Sequence, residues 1–137
     1  MGSTEPLLTI NGTEPQLRGQ TCTGLVVQSC YDGNVLVDPA NVTYFRFEET
    51  WHRIYFEPGM VFWRSGDRPE QPVNSSLEFG LILNDLTELP SAAGRKLLDV
   101  SYACTEAGDV EARFQFDGGT PVVLSYSAQA DAARIDA

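Results

Sequence analysis

The sequence predicts a mainly β, antiparallel protein. Short runs rich in Val, Ile, Phe and Tyr are separated by turn dipeptides such as Asn11-Gly12, Asp32-Gly33 and Pro58-Gly59. Runs of this length, bounded by Gly, Asn, Asp and Pro, are typical of strands joined by tight turns. We expect the meander to close as a barrel or to fold as a two-layer sandwich, with at most one or two short helices.

Length and composition fit one β-rich domain over 1–137. The chain has 137 residues, of which 42% are hydrophobic and 20% charged, as in an ordinary globular domain. At this length, roughly two-thirds of the surface of the unfolded chain can be buried. The alternative is an α+β fold, with the segment 85–97 or the tail packed on one sheet face. The tail, 128–137, is expected to form a short helix or to fray.

Ten segments carry the strand signal. They lie at 7–10, 24–31, 34–37, 42–48, 51–57, 60–64, 78–83, 98–105, 110–116 and 121–127. The segment 65–76 holds two prolines and few apolar residues, which predicts an exposed loop. A helical turn is expected after Pro90, with Ser91 as its N-cap.

The hairpin registers in the C-terminal third follow from keeping apolar residues on one face. A three-residue loop at 107–109 pairs Tyr102 with Phe114. A three-residue loop at 117–119 pairs Phe114 with Val122, and its last residue, a glycine, suits the left-handed conformation that such loops require. Both loops give a sheet with one apolar and one polar face.

The middle of the chain predicts a three-stranded meander with two contrasting faces. Turns centred on Glu49-Thr50 and Pro58-Gly59 put His52 at the edge of an apolar core face, which consists of Phe45, Phe47, Ile54, Phe56, Val61 and Trp63. The opposite face collects aromatic rings and guanidinium groups. We call it the arginine–aromatic face, and its members are Tyr44, Arg46, Trp51, Arg53, Tyr55, Phe62 and Arg64.

In this register the arginines form a row, with Arg46 opposite Arg53 and Arg53 opposite Arg64. Like charges directly opposite destabilise a sheet by ~0.2–1 kcal/mol, so the row needs an explanation. One interpretation is structural: acids such as Glu48 and Glu57 pair with the arginines beneath a covering element. The other is functional: an exposed Arg, Tyr and Trp surface has the composition of interface hot spots, and it can bind a partner protein or a small anion.

The charge of the chain narrows the choice of partner. Nine Lys and Arg against nineteen Asp and Glu give a net charge of −10, which disfavours nucleic acid and anionic membranes as partners. We expect a non-catalytic, acidic binding module that engages another protein, and acidity favours a basic partner. An inhibitor or immunity-type protein that neutralises a basic effector would fit. The alternative is a β-barrel that binds a small anionic or aromatic ligand at the arginine–aromatic face.

A cytoplasmic location is expected. The sequence has no run of eighteen apolar residues that would span a membrane, and its N-terminal residues lack the pattern of a signal peptide. Sequons at Asn11, Asn41 and Asn74 are therefore treated as chance matches.

The three cysteines, Cys22, Cys30 and Cys104, have no Cys-x-x-Cys spacing. Cys104 could form a disulfide with either of the others, but an odd count leaves one thiol over. We expect three reduced, mostly buried thiols, as in a cytosolic protein.

The pattern of residues predicts no catalytic centre, metal site or cofactor. His52 is the single imidazole, so any Ser/His/Asp or Cys/His arrangement would have to use it. Its place on a core face beside Ile54 and Phe56 is more typical of a structural histidine than of a general base. Neither a glycine-rich phosphate loop nor metal-ligand spacing is visible.

Overall fold

The fold consists of ten strands in the computed structural model, which describes residues 8–66, 68–70 and 79–136. In chain order the strands are β1 (Thr9–Asn11), β2 (Cys22–Asp32), β3 (Val35–Phe47), β4 (Thr50–Glu57), β5 (Met60–Ser65), β6 (Phe79–Asp85), β7 (Leu97–Cys104), β8 (Val110–Phe116), β9 (Val122–Ser127) and β10 (Ala132–Asp136).

The strands form two open sheets. One has six strands in the order β1-β5-β4-β3-β2-β6, and the other has four in the order β10-β9-β8-β7. All pairings are antiparallel except the one between β1 and β5. The mainly β, antiparallel prediction is confirmed, and its sandwich form fits. The barrel form is wrong, because neither sheet closes on itself.

The core lies between the apolar faces of the two sheets. The rings of Phe45 and Phe114 have centroids 4.6 Å apart, and those of Phe47 and Phe116 stack at 6.2 Å. The predicted core face is confirmed, since each of its six members is at most 9% exposed.

Two of the four predicted hairpin registers are confirmed. Glu57 pairs with Met60 across the turn at Pro58-Gly59, and Phe114 pairs with Val122. In the loop between β8 and β9, however, the left-handed residue is Gly118, with φ of 69°, rather than the glycine that follows it.

The turn between β3 and β4 lies one residue earlier than predicted. Arg46 therefore pairs with Trp51 rather than with Arg53. The cause is a contact with the start of β2: the Glu48 amide donates to the Thr21 carbonyl at 2.9 Å, and the Thr21 amide donates to Oε1 of Glu48 at 3.1 Å. These bonds hold Glu48 in the turn, with φ of 54°. The resulting two-residue shift changes partners but not faces.

The turn between β7 and β8 likewise lies one residue earlier than predicted. Tyr102 pairs with Ala112 rather than with Phe114, and strand pairing ends at Cys104. Thr105 closes this loop, because its amide donates to the Asp109 carbonyl at 2.9 Å and its Oγ1 accepts from the Asp109 amide at 3.1 Å.

Other local predictions also need correction. The predicted strands 34–37 and 42–48 are parts of the single strand β3, which is bulged against β2 near Cys30. The expected helical turn is one isolated turn that starts before Pro90 and is not capped by Ser91, because the Ala93 amide donates to the Leu89 carbonyl at 2.8 Å; the described residues contain no helix. The predicted loop 65–76 lies mostly outside the described residues.

The C-terminal tail is a strand rather than a helix or a frayed end. β10 pairs with β9, and the buried Ala133 contributes to the core. The turn before it is closed by Tyr126, whose hydroxyl donates to Oδ1 of Asp131 at 2.6 Å. Within the described part of the chain, no helix has the length and apolar character needed to cross a membrane.

Candidate functional site

The arginine–aromatic face lies on the side of the six-stranded sheet that points away from the core. Strand alternation puts its seven residues there, because Phe45, His52 and Ile54 face inward between them. Cross-strand pairing arranges them in three rows: Arg46 with Trp51, Tyr44 with Arg53 and Arg64, and Tyr55 with Phe62. Tyr44 is buried, and the other six are partly exposed.

Two rings in the row next to Arg53 and Arg64 lie against these two arginines. Tyr55 and Phe62 stack with centroids 4.8 Å apart and planes within 5° of parallel. The Cζ atom of Arg53 lies 5.8 Å from the Tyr55 ring, and that of Arg64 lies 5.9 Å from the Phe62 ring. The predicted pairing of Arg53 opposite Arg64 is confirmed. Attraction of each guanidinium to a ring face offsets part of their mutual repulsion.

Arg64 also has a structural role, because it fastens β1 to β5. Its Nη1 donates to the carbonyls of Asn11, at 3.1 Å, and Trp63, at 2.7 Å. Its Nη2 donates to Oδ1 of Asn11 at 2.7 Å. These bonds anchor the end of the short parallel strand and occupy much of the donor capacity of this guanidinium.

The row of Arg46 and Trp51 includes a residue that sequence reasoning missed. Gly24 of β2 pairs with Arg46, and the indole of Trp51 reaches across β3 to lie against it. A Cβ at position 24 would come within 2.8 Å of Cη2 of Trp51 and 2.9 Å of the Arg46 Cβ. A glycine inside a strand is the signal that points to such a close approach.

Among the described residues, neither Glu48 nor Glu57 forms an ion pair with Arg46 or Arg64. Glu48 accepts from the Thr21 amide instead, and Glu57 is exposed. The seven predicted residues do share one face, but their role in binding stays a prediction.

His52 is a buried residue at the edge of the core, as predicted. Its Nδ1 lies 2.7 Å from Oγ of Ser65, and its ring centroid is 6.5 Å from that of Phe47. Burial lowers the pKa of His52 and favours the neutral imidazole. No group of three or more His, Cys, Asp or Glu side chains that could hold a metal ion occurs in the described ranges.

All three cysteines are free thiols, and neither candidate disulfide forms. Cys22 is buried, whereas Cys30 and Cys104 are partly exposed. Burial raises the pKa of Cys22 to about 11. This thiol is therefore protonated near neutral pH.

Two further surface features were not predicted. A groove of about 500 Å³ runs along the four-stranded sheet, and small side chains such as Ala103, Ser125 and Ala132 help to line it. The tip of the β2–β3 hairpin exposes three consecutive aliphatic residues, Val35 to Val37. The sequence signal for the second feature is an aliphatic run directly after the turn at Gly33 and Asn34.

Comparison with known proteins adds no functional information. The chain matches no family model, no curated protein and no solved structure. Its function must therefore be inferred from its own residues.

Proposed function

We propose that this chain is a non-catalytic, acidic protein-binding module that engages its partner through the arginine–aromatic face. The observation that carries the proposal is the partial exposure of Trp51, Tyr55 and Phe62 beside guanidinium groups on one sheet face. Trp, Tyr and Arg are the residue types enriched in interface hot spots. Rings held by stacking and by a close backbone contact also lose little conformational entropy on binding.

Charge supports a basic partner. At long range the net charge of −10 attracts a positively charged protein and accelerates encounter. At contact distance, Arg46 can bind carboxylates or backbone carbonyls of that protein. This negative charge favours one kind of binding module, an inhibitor or immunity-type protein that neutralises a basic effector. The free thiols fit a cytoplasmic setting, which is part of the proposal.

The test is affinity capture from a lysate of source cells, at about 0.1 M and about 1 M salt, where the Debye length falls from ~10 to ~3 Å. Wild type is compared with Arg46→Ala/Tyr55→Ala. The matched control, Arg113→Ala/Leu98→Ala, removes one exposed arginine and one exposed apolar side chain from the other sheet.

We expect a stoichiometric basic partner that wild type and the control retain at low salt, and that the face variant loses. All three proteins must first show the same circular dichroism spectrum. Retention by all three would place binding elsewhere, and an empty capture at both salt concentrations would contradict the module itself.

A second function, binding of a small ligand, is favoured by the groove on the four-stranded sheet. Its lining is mostly apolar and includes Val110 and Tyr126, with Asp109, Glu111 and Arg134 as charged groups. Such a groove suits a small, largely apolar ligand. Native mass spectrometry of the purified protein should then show a retained ligand, and Ala103→Trp, which fills the groove, should abolish it. The same retained mass in the filled variant would rule out this site.

A further inference from the structure

The β2–β3 hairpin ends in an apolar strand edge that the arginine–aromatic face does not use. Val35, Leu36 and Val37 are 59%, 45% and 44% exposed, although all three lie in β3, with Val37 at the bulge against β2. A strand edge that is both apolar and exposed promotes pairing with another chain, and soluble proteins usually protect such edges.

The backbone on one side of this segment is open. β2 pairs with it from the other side, with Asp32 opposite Val35 and Tyr31 opposite Leu36. β4 pairs with β3 only from Thr43 onward, so no described strand pairs with the open side of Val35 to Val37. In a two-residue hairpin the pair that flanks the turn is hydrogen-bonded, which directs the N–H and C=O of Leu36 outward.

The turn and the neighbouring strands hold this edge in an extended conformation before any strand adds to its open side. Gly33 and Asn34 have φ of 58° and 66°, as a type I′ turn requires. β6 supports the far side of the hairpin, where Gly80 pairs with Tyr31. A strand that adds to a preorganised edge pays less conformational entropy than one that must order both partners.

The sequence on either side of the edge is acidic. β10 meets β3 at Asp38 and places Arg134 next to that contact, where it pairs with Asp136 at 3.2 Å. The stretch from Gly19 to Phe45 contains no Lys or Arg, while Asp32 and Asp38 flank the exposed aliphatics. The Asp38 carboxylate accepts from the Ala133 amide at 2.8 Å and from Nδ2 of Asn41 at 3.0 Å. A cationic strand is therefore complementary to this edge. A second copy of the chain would bring one acidic surface against another.

We propose that the open edge of β3 at Val35 to Val37 binds an extended, basic segment of a partner protein by β-strand addition. Main-chain bonds to Leu36 supply the pairing. Aliphatic side chains of the incoming strand cover the exposed valines and leucine, and its Lys or Arg residues lie near the two aspartates. The proposal rests on the proposed function and adds to it the conformation and chemistry of the bound segment.

The experiment uses a labelled synthetic peptide, Lys-Lys-Val-Ile-Val-Lys-Lys, and measures its fluorescence anisotropy with the full chain. Two variant peptides serve as probes: one carries Glu in place of Lys, and the other is N-methylated at Ile. The protein variant is Leu36→Lys, which places a charge on the edge. Its matched control, Leu98→Lys, makes the same change at a residue that is 54% exposed on the other sheet.

We expect the basic peptide to bind wild type and Leu98→Lys alike, and to bind Leu36→Lys at least about 10-fold more weakly. The N-methylated and acidic peptides should also bind wild type at least about 10-fold more weakly. The peptide comparisons need only wild-type protein, so they test the proposal even if Leu36→Lys does not fold.

Equal binding of the N-methylated peptide, equal binding by folded Leu36→Lys, or no binding of the basic peptide overturns the proposal. A further outcome would also overturn the proposal: if sedimentation velocity shows that wild type is a dimer and Leu36→Lys a monomer, the edge binds a second copy of the chain rather than a partner protein. None of these outcomes removes the protein-binding function, because the captured partner is tested separately on the arginine–aromatic face.

Discussion

The indole of Trp51 on β4 reaches across β3 and lies against the backbone of Gly24 on β2. Side chains two strands apart seldom meet across a sheet, and here the contact exists because position 24 has no Cβ. It fixes the orientation of the largest ring on the arginine–aromatic face. Gly24 is therefore part of the candidate site although it carries no side chain.

The first prediction concerns this contact. Gly24→Ala should lower the free energy of unfolding by about 1–3 kcal/mol, because the new Cβ would overlap Trp51 and Arg46. Urea unfolding followed by tryptophan fluorescence measures the change. In a Trp51→Ala background the same substitution should be less destabilising, since only the contact with Arg46 is left. An effect of equal size in both backgrounds would show that the indole does not rest on Gly24.

The second prediction concerns a hydrogen bond between the sheets. Nε1 of the buried Trp63 donates to the hydroxyl of Tyr102 at 2.8 Å. Tyr102→Phe should lower the free energy of unfolding by about 1–3 kcal/mol, because it leaves the indole N–H without its acceptor. The control is Tyr55→Phe, since that hydroxyl bonds to no described residue. Equal losses for the two variants in urea titrations would contradict the role of Tyr102.

Burial of Tyr102 also gives this residue a spectroscopic signature, since it raises the pKa of the phenol to about 12. In an alkaline absorbance titration, wild type should show one phenolate signal that Tyr102→Phe lacks. This signal should appear at a pH well above the ordinary tyrosine pKa of 10.0. Loss of a phenolate that titrates near the ordinary value would contradict the burial.

The third prediction concerns pH. Burial lowers the pKa of His52 below its ordinary value of 6.5, so the unfolded chain binds a proton there more readily than the folded chain does. The stability of the protein should therefore fall as pH drops through 6.5 toward the folded pKa. Between about pH 8 and about pH 5.5, wild type should lose more free energy of unfolding than His52→Asn. Equal losses in the two proteins would contradict a contribution from His52, because titration of the carboxylates affects both proteins alike.

The fourth prediction concerns thiol reactivity. The buried Cys22, with a pKa of about 11, should resist iodoacetamide in the native state, while Cys30 and Cys104 are alkylated. Peptide mass spectrometry reports each site, and the same reaction in denaturant should label all three. Native labelling of Cys22 at the rate of Cys104 would be incompatible with this burial.

The candidate site was partly predictable. Strand alternation alone assigned seven residues to one face. That assignment is correct although the turn between β3 and β4 was predicted one residue too late, because a two-residue change of register keeps every side chain on the same face. The row of arginines was not predictable in full. Arg46 faces Trp51, and this pairing depends on bonds between Glu48 and Thr21, which are distant in sequence.

The sequence by itself determined the β class, most strands and the two faces of the central meander, because these follow from local propensity and a period of two. Tertiary structure decided the rest: the open sandwich, the conversion of the tail into β10, the seat of Trp51 on Gly24 and the exposure of Val35 to Val37. Each of these depends on which distant segments meet. Local sequence patterns do not specify long-range contacts, so only the folded chain reveals them.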